Sequence, residues 1–176
     1  QGLRIYVNDS LNNVNNTEFI NFTVDKTAPN VTITAPQNES NFSFRSGLQD
    51  FNATVLDNVT NVSTVIFYFS NITTSFNRTA SNVSGTWRVA SFNASSLAEG
   101  THTVKVFAND SADNMNDSKT ITIRFDQTVP QINNLTMNTT NGTNISSIAG
   151  RGIMFNVSVN DSTTTPKRVI FELINR

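Results

Sequence analysis

The chain repeats itself at the length of a domain. Residues 5–33 read IYVNDSLNNVNNTEFINFTVDKTAPNVTI, and residues 106–134 read VFANDSADNMNDSKTITIRFDQTVPQINN. Asn8 returns as Asn109, Asp25 as Asp126 and Pro29 as Pro130, each 101 positions later without a gap. Further on, FNATVLD at 51–57 returns as FNVSVND at 155–161, now 104 positions apart, as does VIF at 65–67 and 169–171. A period near 100 residues is that of a domain, since solenoid units run to about 20–50 residues. The sequence therefore divides into the closing strands of one domain (1–26), a complete domain (27–126) and the opening strands of a further one (127–176). Joined together, the two end pieces still lack a counterpart of residues 73–101, so the chain reads as a window on a longer tandem array. Its start at Gln1 rather than Met fits a mature or trimmed piece.

Within the complete unit, alternation of apolar and polar residues predicts seven strands. They lie at about 30–35, 50–57, 62–70, 76–80, 85–92, 101–109 and 118–126. Turn chemistry separates them, as in PQNES, NASSLAEG and NDSADNMND. Seven short antiparallel strands in this length predict an all-β fold, a two-sheet Greek-key sandwich. The strand VSTVIFYFS (62–70) is apolar on both faces around Val65–Phe69, which predicts a central position. TAP and TVP mark the junctions, where proline fixes φ and discourages strand continuation.

VKVFANDSADN followed by SKTITIRFDQTVPQI resembles the Ig-like repeats of bacterial and archaeal surface proteins. Those repeats close with an Asp-x-Ala-Gly-Asn-type turn and a VD-T-x-P junction. Here the turn has Ala-Asp-Asn in place of the Gly-Asn form. The resemblance covers the whole chain once the copies are aligned. It implies tandem Ig-like sandwiches of about 100 residues each, serving as spacers, adhesins or filament parts. With so many acceptor motifs and no Cys, it also implies an archaeal source.

Asparagine, serine and threonine together make up 69 of the 176 residues, 27 of them Asn. The 13 Phe and the alternating Val and Ile nonetheless predict a packed core rather than disorder. Asn-x-Ser/Thr triplets number 21. Random order would give about six or seven, so the excess points to selection for the N-glycosylation acceptor motif. The triplets start at Asn15, Asn21, Asn30, Asn38, Asn41, Asn52, Asn58, Asn61, Asn71, Asn77, Asn82, Asn93, Asn134, Asn138, Asn141, Asn144 and Asn156. Asn8, Asn109, Asn116 and Asn160 are followed by Asp, whose carboxylate makes them poorer acceptors. Along a strand, residues two apart share a face. In FNATV, Phe51, Ala53 and Val55 face inward while Asn52 and Thr54 face outward; NFTV (21–24), NVTI (30–33) and FNVSV (155–159) repeat this. Asn and Thr are also ordinary outward and turn residues, so composition supplies a competing explanation. Dense sugars would account for the low charged content of 14% and would cover strand edges that otherwise invite pairing.

Catalytic sets are missing from the sequence. The single His102 has no nucleophile-elbow serine nearby, no Cys or second His completes a zinc set, and no phosphate-binding glycine loop occurs. A net charge of −1 gives no footprint for nucleic acid, and no stretch approaches the roughly 20 apolar residues of a membrane span. No cofactor is expected beyond N-linked glycans, and no metal set is assigned. Calcium is the candidate ion, through Asp110, Asp113 and Asp126 with Asp9 and Asp25 at turns and junctions. Solvated turn residues explain the same aspartates. Trp87, Tyr6 and Tyr68 lie in strand contexts and read as core. The sequence thus points to a non-enzymatic structural glycoprotein at the cell surface or in an extracellular filament. Its partners would be neighbouring copies of the same domain or chain, joined by strand complementation. An adhesin whose loops grip a carbohydrate or partner protein is the alternative.

Overall fold

The computed structural model describes residues 1–43, 46–137, 154–172 and 174. Four short strands open the chain: β1 (Gly2–Arg4), β2 (Val7–Asn8), β3 (Val14–Asn15) and β4 (Phe19–Asn21). They form two small antiparallel ladders, β1 with β4 and β2 with β3. Next come β5 (Asn30–Ala35), β6 (Ser40–Ser43), β7 (Leu48–Leu56), β8 (Val62–Ser70) and β9 (Ser75–Thr79). They are followed by β10 (Ser81–Val83), β11 (Thr86–Asn93), β12 (Gly100–Asp110) and β13 (Met115–Asp126). The chain ends with β14 (Gln131–Met137) paired antiparallel to β15 (Phe155–Asn160).

The nine strands from β5 to β13 form a Greek-key sandwich. One sheet runs β10-β11-β7-β5 and the other β6-β13-β12-β8-β9. The all-β expectation holds, and each of the seven predicted strands has a counterpart. Two short strands were not foreseen: β6, which joins β13 in parallel, and β10, which forms a hairpin with β11. The hairpin turns on Ser84 and Gly85, both at positive φ (50° and 86°), as a two-residue turn matched to strand twist requires. The strand expected at the centre, β8, lies between β12 and β9, one place from the edge; β12 holds the middle.

The inward residues of the two sheets meet in one core. Phe51, Ala53 and Val55 of β7 are buried, as alternation predicts, opposite Val65, Phe67 and Phe69 of β8. Phe69 stacks on Phe92 at 4.8 Å between centroids and on Phe76 at 5.1 Å, while Phe51 meets Phe69 edge-on at 4.9 Å. Offset and edge arrangements of this kind add to the burial term. Trp87 is buried as expected. Tyr6 is not: it lies between β1 and β2 and is exposed. Tyr68 is half-buried on the outer face of its sheet, because β8 buries its odd-numbered residues from Val65 to Phe69. The inward expectation also fails for Phe22 and Val24, which are exposed because no opposing sheet covers them among the described residues.

Candidate functional site

Three aspartates converge where residues 22–29 enter the sandwich. Asp25 precedes the Thr-Ala-Pro junction, Asp57 follows β7, and Asp110 closes β12. Each offers a carboxylate oxygen, and these oxygens lie within 4.8 Å of one another. Local hydrogen bonds fix all three. Asp25 Oδ1 accepts from the Thr27 N–H (2.9 Å), and its Oδ2 accepts from the Thr60 hydroxyl (2.7 Å). Asp57 Oδ1 accepts from the Val59 and Thr60 N–H groups (2.9 and 2.7 Å), while Oδ2 is buried without a partner. Asp110 is fully buried. Its Oδ1 accepts from the Ala112 and Asn114 N–H groups (2.8 and 2.9 Å), and its Oδ2 from Asn114 Nδ2 (2.9 Å). Burial alone would raise its pKa. Hydrogen bonds from Asn114, Ala112 and Thr60 outweigh that and hold it below the ordinary carboxylate value.

The same construction recurs at the second junction. The Thr164 hydroxyl donates to Asp126 Oδ2 (2.7 Å), and Asp161 Oδ1 accepts from the Thr163 and Thr164 N–H groups (2.9 and 2.7 Å). Asp161 Oδ2 is again buried without a partner. Backbone hydrogen bonds from Thr164 and Thr163 hold Asp161 below its ordinary value. Glu99 adds a second tie here, accepting from the Thr128 hydroxyl (2.6 Å) and from the Thr163 hydroxyl. Among the described residues, only the first junction brings oxygens of three carboxylates within 4.8 Å of one another.

Three like charges this close repel unless a proton or a cation intervenes. Hard oxygen donors in such a set suit Ca²⁺. Of the aspartates expected to be calcium ligands, Asp25 and Asp110 belong to the cluster. Asp9, Asp113 and Asp126 lie elsewhere: Asp9 caps its own turn through Leu11 and Asn13 (2.9 Å each), and Asp113 is exposed in the β12–β13 turn. Asp57 was missed by sequence reasoning. Its signal was the repeat itself, since FNATVLD and FNVSVND end on the same Asp.

The acceptor asparagines divide by position. Asn21, Asn30, Asn41, Asn77, Asn82, Asn93 and Asn156 are exposed on strands, as are Asn15 and Asn134. Asn38, Asn58 and Asn61 are exposed in loops and at strand ends, while Asn71 is half-buried. Asn52 is half-buried in mid-sheet between Arg88 and Ala35, with Oδ1 buried and unpartnered. In Asn15, Asn71 and Asn93 the side-chain oxygen accepts from the backbone N–H of the triplet's third residue (3.0, 2.9 and 3.0 Å). Of the poorer candidates, Asn8 and Asn160 are exposed. Asn109 Nδ2 donates to Asp113 (3.4 Å), and Asn116 Nδ2 to the Pro29 carbonyl (2.8 Å). Asn138, Asn141 and Asn144 lie outside the described residues.

His102, two positions after Gly100 at the start of β12, is not a surface residue. It is buried, facing inward from β12, with Nε2 2.7 Å from the Ala98 carbonyl oxygen. No serine–histidine pair involves it among the described residues.

Two family models match: a bacterial Ig domain over residues 29–106, and a bacterial Ig-like domain (group 3) over residues 85–171. No curated protein matches the chain. Among solved structures, the chain is similar to an endo-β-1,4-mannanase from Thermotoga petrophila (10% identity, TM-score 0.47), covering 59% of this chain and 21% of that one. It is similar to fibronectin(III)-like modules of Clostridium thermocellum CbhA (23% identity, TM-score 0.39), covering 55% of this chain and 97% of that one. It is also similar to a tetra-tandem repeat in the extending region of a large adhesion protein (15% identity, TM-score 0.48), covering 89% of this chain and 44% of that one. The chain thus spans about a fifth of the mannanase's length.

Proposed function

This chain is built of bacterial Ig-like repeat domains, and from that premise we propose that it is a non-enzymatic structural segment of an extracellular surface protein or filament, coated with N-linked sugars. The observation that carries the coat is placement. Most acceptor asparagines of the complete sandwich are exposed, while the apolar residues alternating with them fill the core. A sugar at such a site costs the fold nothing. Its attachment is a glycosyl transfer: Nδ2 bonds to C1 of a phosphate-activated sugar, the C1–O bond to phosphate breaks with its electron pair, and Nδ2 gives up a proton.

Rigid junctions complete this reading. Thr60 to Asp25 and Thr164 to Asp126 tie each incoming linker to the unit after it. The crowded carboxylates of Asp25, Asp57 and Asp110 support calcium as a further tie at the first junction. Exposed apolar residues on the opening strands, Leu3, Val7, Phe19 and Ile20 among them, support a neighbouring copy as the partner, through strand addition.

Glycopeptide mass spectrometry of the chain, secreted from an N-glycosylating host, tests the coat. Sugars at strand positions such as Asn21, Asn77 and Asn156 are the expected result. A bare polypeptide mass would reject the coat.

A further inference from the structure

The register of β8 and β9 sets one acceptor asparagine directly beside an aromatic ring on the solvent side of the sheet. Tyr68 pairs with Asn77, and Ile66 with Thr79, so both polar ends of the Asn77-Arg78-Thr79 triplet stand on the outer face. The Ala80 N–H donates to the Val65 carbonyl (2.9 Å), which makes Ile66 and Thr79 a non-hydrogen-bonded pair. Pair types alternate along an antiparallel ladder, and the register here is unbroken. Tyr68 and Asn77 are therefore also a non-hydrogen-bonded pair, the kind in which facing side chains come closest.

The neighbours leave this spot open. Phe76 stacks inward on Phe69, and the Arg78 guanidinium lies over the Phe76 ring at 4.7 Å from its centroid. The Tyr68 ring meets Phe107 edge-on at 6.1 Å, and Phe107 in turn carries Lys105 at 4.9 Å. Tyr68 thus has an aromatic neighbour toward β12 and Asn77 directly across from it on β9. Asn77 is exposed on an edge strand, and its side-chain amide makes no hydrogen bond among the described residues. Asn82 faces Trp87 across the β10–β11 ladder in a similar way. There Asn82 Oδ1 already accepts from the Gly85 N–H (3.0 Å), and Trp87 is buried.

We propose that Tyr68 is the landing surface for the first sugar attached to Asn77. One face of a pyranose ring presents C–H groups, which suit the negative face of an aromatic ring and hide apolar surface from water. The packed sugar lies over the outer face of the β8–β9 pair and stabilises the sandwich. The inference rests on glycosylation of the chain, and its test separates the two.

The wild type, Asn77→Gln, Tyr68→Thr and the double variant are secreted from an N-glycosylating host, and the same four are made in a host without that pathway. Peptide mass spectrometry first reads Asn77 occupancy. Occupied wild type is expected to melt roughly 3 °C above Asn77→Gln, with no such difference in the Tyr68→Thr background or in the unmodified set. On the wild type, carbon-13-labelled sugar should show upfield ring-current shifts for its first residue, absent in Tyr68→Thr. An equal melting increment in both backgrounds, without ring-current shifts, would overturn the packing and leave the coat standing. An unmodified Asn77 would overturn both the acceptor reading at this site and the packing built on it.

Discussion

Asp110 illustrates how single residues hold the junction. Fully buried, it stays ionised because the Asn114 side chain and the Ala112 and Asn114 amides all point at it. Among the described residues, Asp9, Glu99, Asp110, Asp117 and Asp161 all titrate below their ordinary values in the folded chain. A carboxylate with a depressed folded pKa stabilises the fold above its unfolded pKa, and loses that contribution as pH falls through the folded value. Stability should therefore hold near neutrality and decline below about pH 4. Asp110→Asn should melt lower than wild type at pH 7, and the gap should close toward pH 2, as followed by circular dichroism. Asp57 offers a second test, through its unpartnered Oδ2. Saturating CaCl₂ is expected to raise the melting temperature, and Asp57→Asn to abolish that rise. A melting temperature indifferent to calcium and to chelator would remove the ion from the junction.

At the scale of elements, alternation carried most of the information. β7 reads Phe-Asn-Ala-Thr-Val over 51–55, and three buried residues alternate with two that are half-buried. β6 and β10 lacked that signal, with four and three residues between turns, too short for a period to register. β8 misled for a physical reason. Its outer Ile66 and Tyr68 are apolar because they pack against Phe107 on the sheet's outer face, not because a second layer covers them. The core predicts large costs. Phe69→Ala, which removes partners of Phe51, Phe76 and Phe92, should cost about 3–5 kcal/mol in chemical denaturation. Gly85→Ala should cost only about 1 kcal/mol. Its Cβ would meet open space, so the positive φ alone is penalised.

For the whole molecule, the repeat was the most legible feature and the junctions were the least. The offset aligned Asp25 with Asp126 and Asp57 with Asp161. Only the fold shows that a threonine hydroxyl joins Asp25 to Asp57 at one junction and Asp126 to Asp161 at the other, because its contact with the linker aspartate spans 35 residues in the first case and 38 in the second. Association belongs to this scale too. Copies joined by strand addition should give concentration-dependent mass in light scattering, and Phe19→Asp with Ile20→Asp should return the chain to one monomeric mass. A monomer at every concentration would count against strand addition.

The parallel pairing of β6 with β13 has a mechanical consequence. Residues Ser40–Ser43 lie beside Ile123–Asp126 in the same direction, near the entry and exit of the sandwich. Tension between the two ends of the sandwich, once it passes β5, pulls β6 back toward its start and β13 forward toward its end. The two strands are then sheared past each other, and their hydrogen bonds must yield together rather than one at a time. The sandwich is thereby set to resist stretching between its own entry and exit.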